Sequence, residues 1–265
     1  MTMTRMLLLG LFAPLVVAAP ALAESPFDGT WKIDLGASKL PEKPDVFLLK
    51  DGVYECQSCA PAFKVKADGA FHPVAGHPYY DAVSIKVVDP RTVVETDRKG
   101  AKTVVSSTNS VSADGRTLDF SFKDMTAASG AVVTGKGTQT RVAGGPAGSH
   151  AISGSWRTTS LSNFSENGLV LTFKEQGGMF SMSTPTGQSY TAKFGGPAVP
   201  VKGDTGGTHA AVKKTGPRAF EETDTRGGKV VMVIAGTVSP DGKTMTATVD
   251  DREHGSHATY RLTRQ

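Results

Sequence analysis

The chain has few of the residues and motifs that usually identify a chemistry. Its 265 residues include two cysteines and two tryptophans, and aromatic residues amount to 7%. It has no Gly-x-Ser-x-Gly nucleophile elbow, His-Glu-x-x-His zinc motif, phosphate-binding loop or dinucleotide fingerprint. We therefore predict no catalytic residues, metal or cofactor, although a barrel isomerase or a thiol redox factor stays open as an alternative.

Charge and aromatic content exclude further classes. The formal net charge of +4 is spread along the chain, whereas a nucleic-acid-binding surface needs clustered lysine and arginine. The aromatic content falls short of the girdles of an outer-membrane barrel. We expect a soluble protein with no transmembrane segment in its mature chain, and the sequence leaves its oligomeric state open.

The first 23 residues have the pattern of a secretory signal peptide. One charge, at Arg5, precedes the apolar run 7–17 and the small-residue sequence Ala21-Leu22-Ala23. We predict cleavage after Ala23 and, because no cysteine directly follows that site, no lipid anchor. The mature protein is expected in the periplasm or outside the cell.

The rest of the chain contains an internal duplication. Residues 71–124 align without a gap onto residues 198–251, and 18 of these 54 pairs are identical. Residues 144–149, between the repeats, are rich in Gly and Pro and have no side chains for a core, which is typical of a linker. The predicted domains are therefore 24–143 and 150–265.

Residue alternation predicts β-strands throughout both units. Stretches rich in Val and Thr, such as 82–88 and 102–111, alternate apolar with polar residues and are separated by turn signals. Asp97 and Asp224 each stand three residues before a glycine, so we predict that both lie in hairpin turns. Sheets of about eight to ten strands usually close on themselves. The predicted fold is therefore all-β, with two tandem antiparallel barrels.

Each unit opens with a glycine and a tryptophan on one strand and ends with a strand that carries an arginine. The opening segments contain Gly29-Thr30-Trp31 and Gly154-Ser155-Trp156. This pattern resembles that of lipocalins and related calycins, and the whole mature chain is similar to exported bacterial lipocalin-like proteins, a group without a biochemical role that transfers to this chain.

The resemblance implies a stacked arginine at the closed end of each barrel. Trp31 would pair with Arg141, and Trp156 with Arg261, the arginines of the closing strands. A guanidinium over an indole face contributes about 0.5–2 kcal/mol. The alternative is that both tryptophans are ordinary core aromatics.

Two residues separate Cys56 from Cys59, and in an oxidising compartment we predict a disulfide between them. Because its Cα atoms must lie within about 7 Å, the segment must turn and place Gln57 and Ser58 at a loop tip. Residues 61–66 have a strand pattern, whereas a redox motif needs a helix to activate its first cysteine. A structural disulfide is therefore favoured over redox catalysis or metal binding.

Two acidic stretches supply the candidate ligand-binding residues. The pattern Arg-x-apolar-x-Glu-x-Asp occurs at 91–97 and again at 218–224. Alternate residues share one face of a strand, and the apolar member indicates that this face points into a barrel. Each glutamate would then need a partner, such as the nearby arginine or a polar ligand, unless the strand leaves the core before it. The candidates are Arg91, Glu95, Arg218, Phe220 and Glu222.

The histidines give weaker signals. His254 and His257 stand among three acidic residues and could recruit a metal ion, but such spacing is common in solvated turns. His72 and His77 flank a proline-containing loop and are not repeated in the second unit. We therefore predict that both lie at the surface.

These observations favour an exported protein that holds a small apolar or amphipathic molecule in a barrel cavity. Bulky residues at the inward positions would count against such a cavity. The alternative is a non-enzymatic cell-envelope interaction or stress protein that acts through its outer surface or through a groove between the units. The sequence leaves open the ligand, the relative orientation of the units and whether the units exchange strands.

Overall fold

The structure, a computed structural model, describes residues 25–265, so the predicted signal peptide lies outside the described residues. A 3-10 turn at Glu166–Gly168 is the only helical element in this part of the chain. The strands are β1 (Gly29–Lys39), β2 (Asp45–Lys50), β3 (Val53–Cys56), β4 (Phe63–Lys66), β5 (Asp68–Pro73), β6 (Ala82–Asp89), β7 (Thr92–Lys99), β8 (Lys102–Val111), β9 (Thr117–Asp124), β10 (Val133–Gly144), β11 (Gly154–Ser162), β12 (Val170–Gln176), β13 (Met179–Ser183), β14 (Ser189–Lys193), β15 (Val199–Pro200), β16 (His209–Gly216), β17 (Ala219–Arg226), β18 (Lys229–Val238), β19 (Thr244–Asp251) and β20 (Ser256–Arg264).

These strands form two antiparallel ten-stranded sheets, each nearly closed into a barrel. One sheet has the order β4-β3-β2-β11-β10-β9-β8-β7-β6-β5 and is made from residues 45–162 without interruption; we call it the contiguous barrel. The other has the order β14-β13-β12-β1-β20-β19-β18-β17-β16-β15 and joins residues 29–39 to residues 170–264; we call it the discontinuous barrel. The prediction of two antiparallel β-barrels is confirmed.

The first strand of each repeat lies in the sheet of the other repeat. β1 pairs with β12 and β20, and β11 pairs with β2 and β10. The chain therefore crosses between the barrels twice, at residues 40–44 and 163–169. The predicted boundaries, 24–143 and 150–265, need correction, because residues 144–149 belong to the connection between β10 and β11 and join strands of one sheet.

The exchange also changes the predicted tryptophan–arginine pairs. The guanidinium of Arg141 lies 3.9 Å from the ring centre of Trp156, and that of Arg264 lies 4.5 Å from the ring centre of Trp31. Arg261 instead faces outward and donates a hydrogen bond to the Thr246 hydroxyl at 3.0 Å. Each tryptophan thus stacks with an arginine, but with a different one from that predicted.

The stacked arginine also ties several backbone carbonyls together. Arg141 donates to the carbonyl oxygens of Ser153 and Ala151, both at 2.7 Å. Arg264 donates to the carbonyls of Gly242 at 2.8 Å and Pro26 at 2.7 Å. We call this end of each barrel the closed end.

The glycine before each tryptophan is required by its backbone. Gly154 has φ +129°, and a Cβ atom there would lie 2.3 Å from the Ala143 carbonyl oxygen. Gly29 has a similar φ of +117°. Since side chains rarely adopt such angles, the Gly-x-Trp pattern reflects a local turn into the strand as well as the stacked tryptophan.

Bulky side chains fill both interiors. In the discontinuous barrel, four phenylalanine rings meet with centroid separations of 5.0 to 5.9 Å; they are Phe27, Phe173, Phe180 and Phe220. The contiguous barrel is packed by Leu49, Tyr54, Val65, Val83, Ile85, Val93, Leu118 and Trp156, among others. These cores place any open binding space at the barrel ends rather than at their centres.

The hairpins are tighter than the sequence suggested. β7 continues to Lys99, which pairs with Lys102, so only Gly100 and Ala101 form the turn. Asp97 is therefore a strand residue that points inward and is 5% exposed. Asp224 lies within β17 in the same way, and the prediction that both aspartates occupy turns is wrong.

Candidate functional site

A pair of inward-facing carboxyl groups lies in each barrel, at the end opposite the closed end. Glu95 and Asp97 are on β7, and Glu222 and Asp224 are on the equivalent strand, β17. Burial raises the pKa of all four, to about 8 for Asp97 and for Glu222. Glu222 is buried and Glu95 is partly buried, and each lies on the strand face that carries a buried apolar residue, Phe220 or Val93.

Each glutamate interacts with a tyrosine from a different strand. The Tyr190 hydroxyl of β14 donates to Glu222 Oε2 at 2.6 Å, and the Tyr54 hydroxyl of β3 interacts with Glu95. Burial raises the pKa of both tyrosines, so each phenol keeps its proton and stays a donor. The partner that the sequence proposed for the glutamates, an arginine on the same strand, is replaced by a tyrosine.

The predicted arginines lie at the other end of the strand. Arg91 is exposed in the turn before β7, and its carbonyl accepts a hydrogen bond from Val111 N at 2.9 Å, near the closed end. Arg218 occupies the equivalent exposed turn, with Val238 N at 2.8 Å. Four residues of strand span roughly 13 Å, which separates Arg91 from Glu95. Phe220, in contrast, belongs to the aromatic core.

The contiguous barrel has a third buried acid that the sequence did not reveal. Asp45, at the start of β2, accepts a hydrogen bond from Gln139 Nε2 at 2.6 Å. The same amide group donates to the Thr158 hydroxyl at 3.2 Å. Burial raises the pKa of Asp45, while the Gln139 hydrogen bond and nearby His254 lower it to a smaller extent. Asp45 is thus a carboxyl group held between the core and the barrel end.

A line of aromatic rings leads from this region to the barrel end. Neighbouring centroids are 4.4 to 6.1 Å apart along the series, which runs Phe47, Tyr54, Phe63, His77 and Tyr80. His77 stacks on Tyr80 at 4.4 Å and is 7% exposed, so the prediction that it lies at the surface is wrong. Its burial within the ring series lowers the pKa of its imidazole, which keeps the ring neutral.

Asp45 and several of these aromatic residues line a groove of about 330 Å³, which we call the mouth groove. Its lining comes from β2, from the Cys56–Cys59 turn, from the loop before β6 and from the β19–β20 turn of the other barrel; it includes Asp45, Phe47, Cys56, Cys59, His77, Tyr80, Glu253 and His254. Nε2 of His77 has no hydrogen-bond partner among residues 25–265. His77 lines the groove, and this nitrogen is a buried polar group whose hydrogen bond is unmet within the described residues.

Contacts between the barrels hold one wall of the groove. Arg226 of the discontinuous barrel binds Glu253 through two hydrogen bonds of 3.0 and 2.8 Å, and it donates to the Tyr79 hydroxyl at 3.0 Å. Tyr79 in turn donates to Asp204 at 2.9 Å. A Cβ atom at Gly206 would lie 2.6 Å from the Tyr79 ring, so this loop of one barrel fits closely against the equivalent loop of the other.

The disulfide braces the opposite wall. Cys56 and Cys59 are joined, with their Cα atoms 5.5 Å apart, and Gln57 and Ser58 form the predicted loop tip. β4 follows as a strand, as expected. Val46 N donates to the Ser58 hydroxyl at 3.0 Å, which ties this tip to β2 beside Asp45.

The histidines near residue 254 form pairs with single acids. His254 Nδ1 lies 2.8 Å from Asp251, which raises the pKa of that imidazole, and His257 Nδ1 lies 3.2 Å from Asp250. Across residues 25–265, no group of three or more His, Cys, Asp or Glu side chains is arranged to hold a metal ion. His254 is therefore part of the groove rim and not of a metal centre that the structure defines.

Comparison with known proteins adds no assignment to this geometry. No family model and no curated protein matches the sequence. Within the described residues, no helix is both long enough and apolar enough to cross a bilayer.

One local signal could have located the groove from the sequence. The segment His77-Pro78-Tyr79-Tyr80 is aromatic, whereas its counterpart in the second repeat is Asp204-Thr205-Gly206-Gly207. Such a difference within an otherwise repeated stretch points to a role that only one barrel has. The Asp45–Gln139 contact, in contrast, joins residues 94 positions apart and has no local pattern.

Proposed function

We propose that this protein is an exported small-molecule-binding protein whose ligand, an apolar or amphipathic molecule, lies in the mouth groove of the contiguous barrel. The observation that carries the proposal is the combination of aromatic walls with the unpartnered Nε2 of His77, a buried polar atom of a residue that lines the groove. Ligand sites typically combine an apolar lining with a few placed polar groups, in volumes of about 300–1,000 Å³.

The position at the mouth follows from the packing of the interiors. Phenylalanine and tryptophan side chains occupy the centre of the discontinuous barrel, and an equally continuous core fills the contiguous one. Dense cores leave few voids larger than a water molecule. A ligand is therefore better accommodated where the core ends, at the groove that Phe47 and Tyr80 border.

Membership of a lipocalin-like family is part of the same proposal. Support comes from the nearly closed antiparallel sheets and from the Gly-x-Trp strand with its stacked arginine in each barrel. Export is supported by the apolar N-terminal pattern and by the Cys56–Cys59 disulfide, which is typical of oxidising compartments.

A second candidate is an envelope interaction protein that acts through the groove between its barrels. The observation in its favour is that Glu253 and His254, from the discontinuous barrel, border a groove whose other walls belong to the contiguous barrel. A partner segment in place of a small molecule would then occupy the same space.

The proposal can be tested with N-phenyl-1-naphthylamine, an uncharged apolar dye whose fluorescence rises in a dry site. The mature chain, residues 24–265, is titrated with the dye beside two variants, Ser58→Trp and Thr186→Trp. Ser58 lines the mouth groove, and Thr186 lines the groove at the equivalent end of the discontinuous barrel. Both residues are partly buried and lie in equivalent hairpin turns.

We expect saturable binding to the wild-type chain, a loss of at least about tenfold in affinity for Ser58→Trp and little change for Thr186→Trp. Equal losses in both variants, or none in Ser58→Trp, would move the site away from the mouth groove. Absence of binding to a folded wild-type chain, together with capture of a peptide segment in the groove, would favour the interaction protein.

A further inference from the structure

We propose that the ligand of the mouth groove carries a protonated amine, which binds the Asp45 carboxylate and the unpartnered Nε2 of His77. This inference rests on the proposed function and adds the chemical class of the ligand. Four observations support it: the acids of this barrel form no ion pair within the described residues, an arginine lies near the corresponding acid of the other barrel, the positive groups at the rim are already paired, and the Asp45 carboxylate is an acceptor.

The acids of the contiguous barrel have neutral hydrogen-bond partners. Asp45 bonds the Gln139 amide, and Glu95 interacts with the Tyr54 hydroxyl. Asp97 leaves its Oδ1 atom buried without a hydrogen-bond partner among the described residues. None of the three takes part in an ion pair within residues 25–265. Buried carboxylates are costly unless a positive charge or several donors compensate them.

The discontinuous barrel has an arginine near the corresponding acid, although Asp224 also leaves its Oδ1 without a hydrogen-bond partner and forms no ion pair among the described residues. Arg226, at the end of β17, acts on the nearby Asp224 and lowers its pKa against the larger effect of burial. The equivalent residue of the contiguous barrel is Lys99, which is exposed at the hairpin. Asp97 has no such neighbour; burial and the adjacent Glu95 both raise its pKa. A ligand amine would provide in one barrel what an arginine provides in the other.

Positive groups at the groove rim are already engaged. Arg226 holds Glu253 through two hydrogen bonds, and His254 pairs with Asp251. Lys43 donates to the backbone carbonyl of His254. His254, which lies near enough to Asp45 to lower its pKa, is thus already paired with Asp251, and these pairs supply no strong site for an anion.

The free polar atoms of the groove are also acceptors. An ionised aspartate only accepts hydrogen bonds, and the unpartnered Nε2 of neutral His77 accepts one in the tautomer that carries its proton on Nδ1. A primary ammonium group donates three hydrogen bonds, and its positive charge is attracted by the faces of nearby rings such as Tyr80. An alkylamine thus matches the acceptors through its head and the aromatic walls through its tail.

Three probes with the same six-carbon tail separate the contributions of charge and tail. Hexylamine, hexan-1-ol and hexanoate are each titrated at pH 7.5 into the mature chain, by calorimetry and by displacement of the naphthylamine dye. The variants are Asp45→Asn in the mouth groove and, as a control for the loss of a buried acid elsewhere, Asp224→Asn in the other barrel. Both variants replace a buried acid by a neutral isostere, and thermal unfolding confirms that each is folded.

We expect hexylamine to bind at least about tenfold more tightly than hexan-1-ol, and hexanoate to bind most weakly. Asp45→Asn should remove the preference for hexylamine while leaving hexan-1-ol unchanged, and Asp224→Asn should preserve it. Dye binding without any preference for hexylamine, or with a preference for hexanoate, would overturn the amine inference and leave the proposed function in place. Failure of dye and all three probes would overturn the proposed function itself.

Discussion

The ends of the two barrels have the same backbone frame and opposite chemistry. The strand registers place the two tryptophan strands in equivalent positions, so residues around them can be compared directly. At three facing positions the contiguous barrel has Asp45, Gln139 and Thr158, where the discontinuous barrel has Leu171, Leu262 and Ile33. The frame is therefore compatible with aliphatic side chains there, and the polar trio is not required for folding.

Unlike the polar trio, the tyrosine–glutamate contact occurs in both barrels. The contiguous barrel has Tyr54 on β3 with Phe63 on β4, and the discontinuous barrel has Phe180 on β13 with Tyr190 on β14. Each barrel thus keeps one phenol beside its glutamate, although the phenol comes from a different strand. A contact retained by such a compensating change belongs to the shared frame, which assigns Glu95 and Glu222 a structural role.

The largest effect on folding is expected when the chain is shortened to a segment that lacks one strand of the contiguous barrel. Residues 44–163 contain all ten strands of the contiguous barrel, so this segment should fold alone. Residues 24–143 lack β11, which separates β2 from β10 and carries Trp156, the partner of Arg141. This second segment should be unfolded or aggregated, because both strands lose a neighbour and the arginine loses its stack. Far-UV circular dichroism and thermal unfolding distinguish the two.

One result would contradict the expected difference between these two segments. If residues 24–143 unfold as cooperatively as residues 44–163, then β1 can replace β11 within its own repeat, and the strand exchange is not obligatory. The two repeats would then be independent units of the kind that the linker at 144–149 suggested.

The buried acids should make the protein more stable at mildly acidic pH. Unfolded carboxyl groups titrate near pH 4, and burial raises the folded pKa values of Asp97 and Glu222 to about 8. Between these limits the folded chain holds more protons than the unfolded chain, so the free energy of unfolding falls as pH rises. The slope is about 1.4 kcal/mol per pH unit for each additional proton.

Urea unfolding from pH 5 to pH 8 measures this dependence, and a double variant isolates it. Asp97→Asn with Glu222→Gln removes two of the titrating groups and should flatten the profile, mainly by raising stability at pH 8. A variant with the same slope as the wild-type chain would show that these groups do not control the pH dependence.

The stacked arginines should contribute similarly in both barrels. Arg141→Ala and Arg264→Ala each remove a stack on tryptophan and several hydrogen bonds to backbone carbonyls. We expect each to lower the free energy of unfolding by about 2–4 kcal/mol. Arg261→Ala, the control on the same strand as Arg264, should change it by less than about 0.5 kcal/mol. Urea unfolding would contradict the assignment if Arg261→Ala were the more damaging change.

The repeat, the hairpins and the disulfide turn could be predicted from the sequence because they depend on local patterns. Strand exchange could not, because the two Gly-x-Trp strands have the same local pattern, which does not indicate the sheet that each strand joins. Arg264 could have been preferred to Arg261 by strand alternation, since it lies on the same face as Leu262, which is buried. The prediction that the aspartates lie in turns was wrong because the segment Asp97-Arg98-Lys99-Gly100 fits two patterns. It fits a turn as well as it fits a strand that ends in a two-residue hairpin.

The candidate site was recognisable only in part. The acidic strands indicated Glu95 and Glu222; Glu222 accepts a hydrogen bond from Tyr190, and Glu95 lies beside Tyr54. Asp45 and His77 became evident only when the fold brought β2, the loop before β6 and the turn at residue 254 together. Because the groove forms between segments that are distant in sequence, its residues do not form a motif with a fixed spacing.

The smallest effect on stability is expected when the open end of the contiguous barrel is given the apolar residues of the other barrel. The same change should have a clear effect on binding. Asp45→Leu together with Gln139→Leu gives the contiguous barrel the pair that the discontinuous barrel has at Leu171 and Leu262. Because both partners of one hydrogen bond are replaced by apolar groups, the free energy of unfolding should change by no more than about 1 kcal/mol. Either single change leaves the other polar group without its hydrogen-bond partner and should lower the free energy of unfolding by about 1–3 kcal/mol.

Binding and stability then respond separately to the same double variant. Hexylamine should lose its advantage over hexan-1-ol, since the acceptor for its ammonium group is gone, while the aromatic walls of the groove still take the alkyl tail. If the double variant were far less stable than the wild-type chain, the Asp45–Gln139 pair would have to be part of the frame of this barrel. If it instead kept both its stability and its preference for hexylamine, Asp45 would not be the acceptor of the ammonium group, and the amine inference would be overturned.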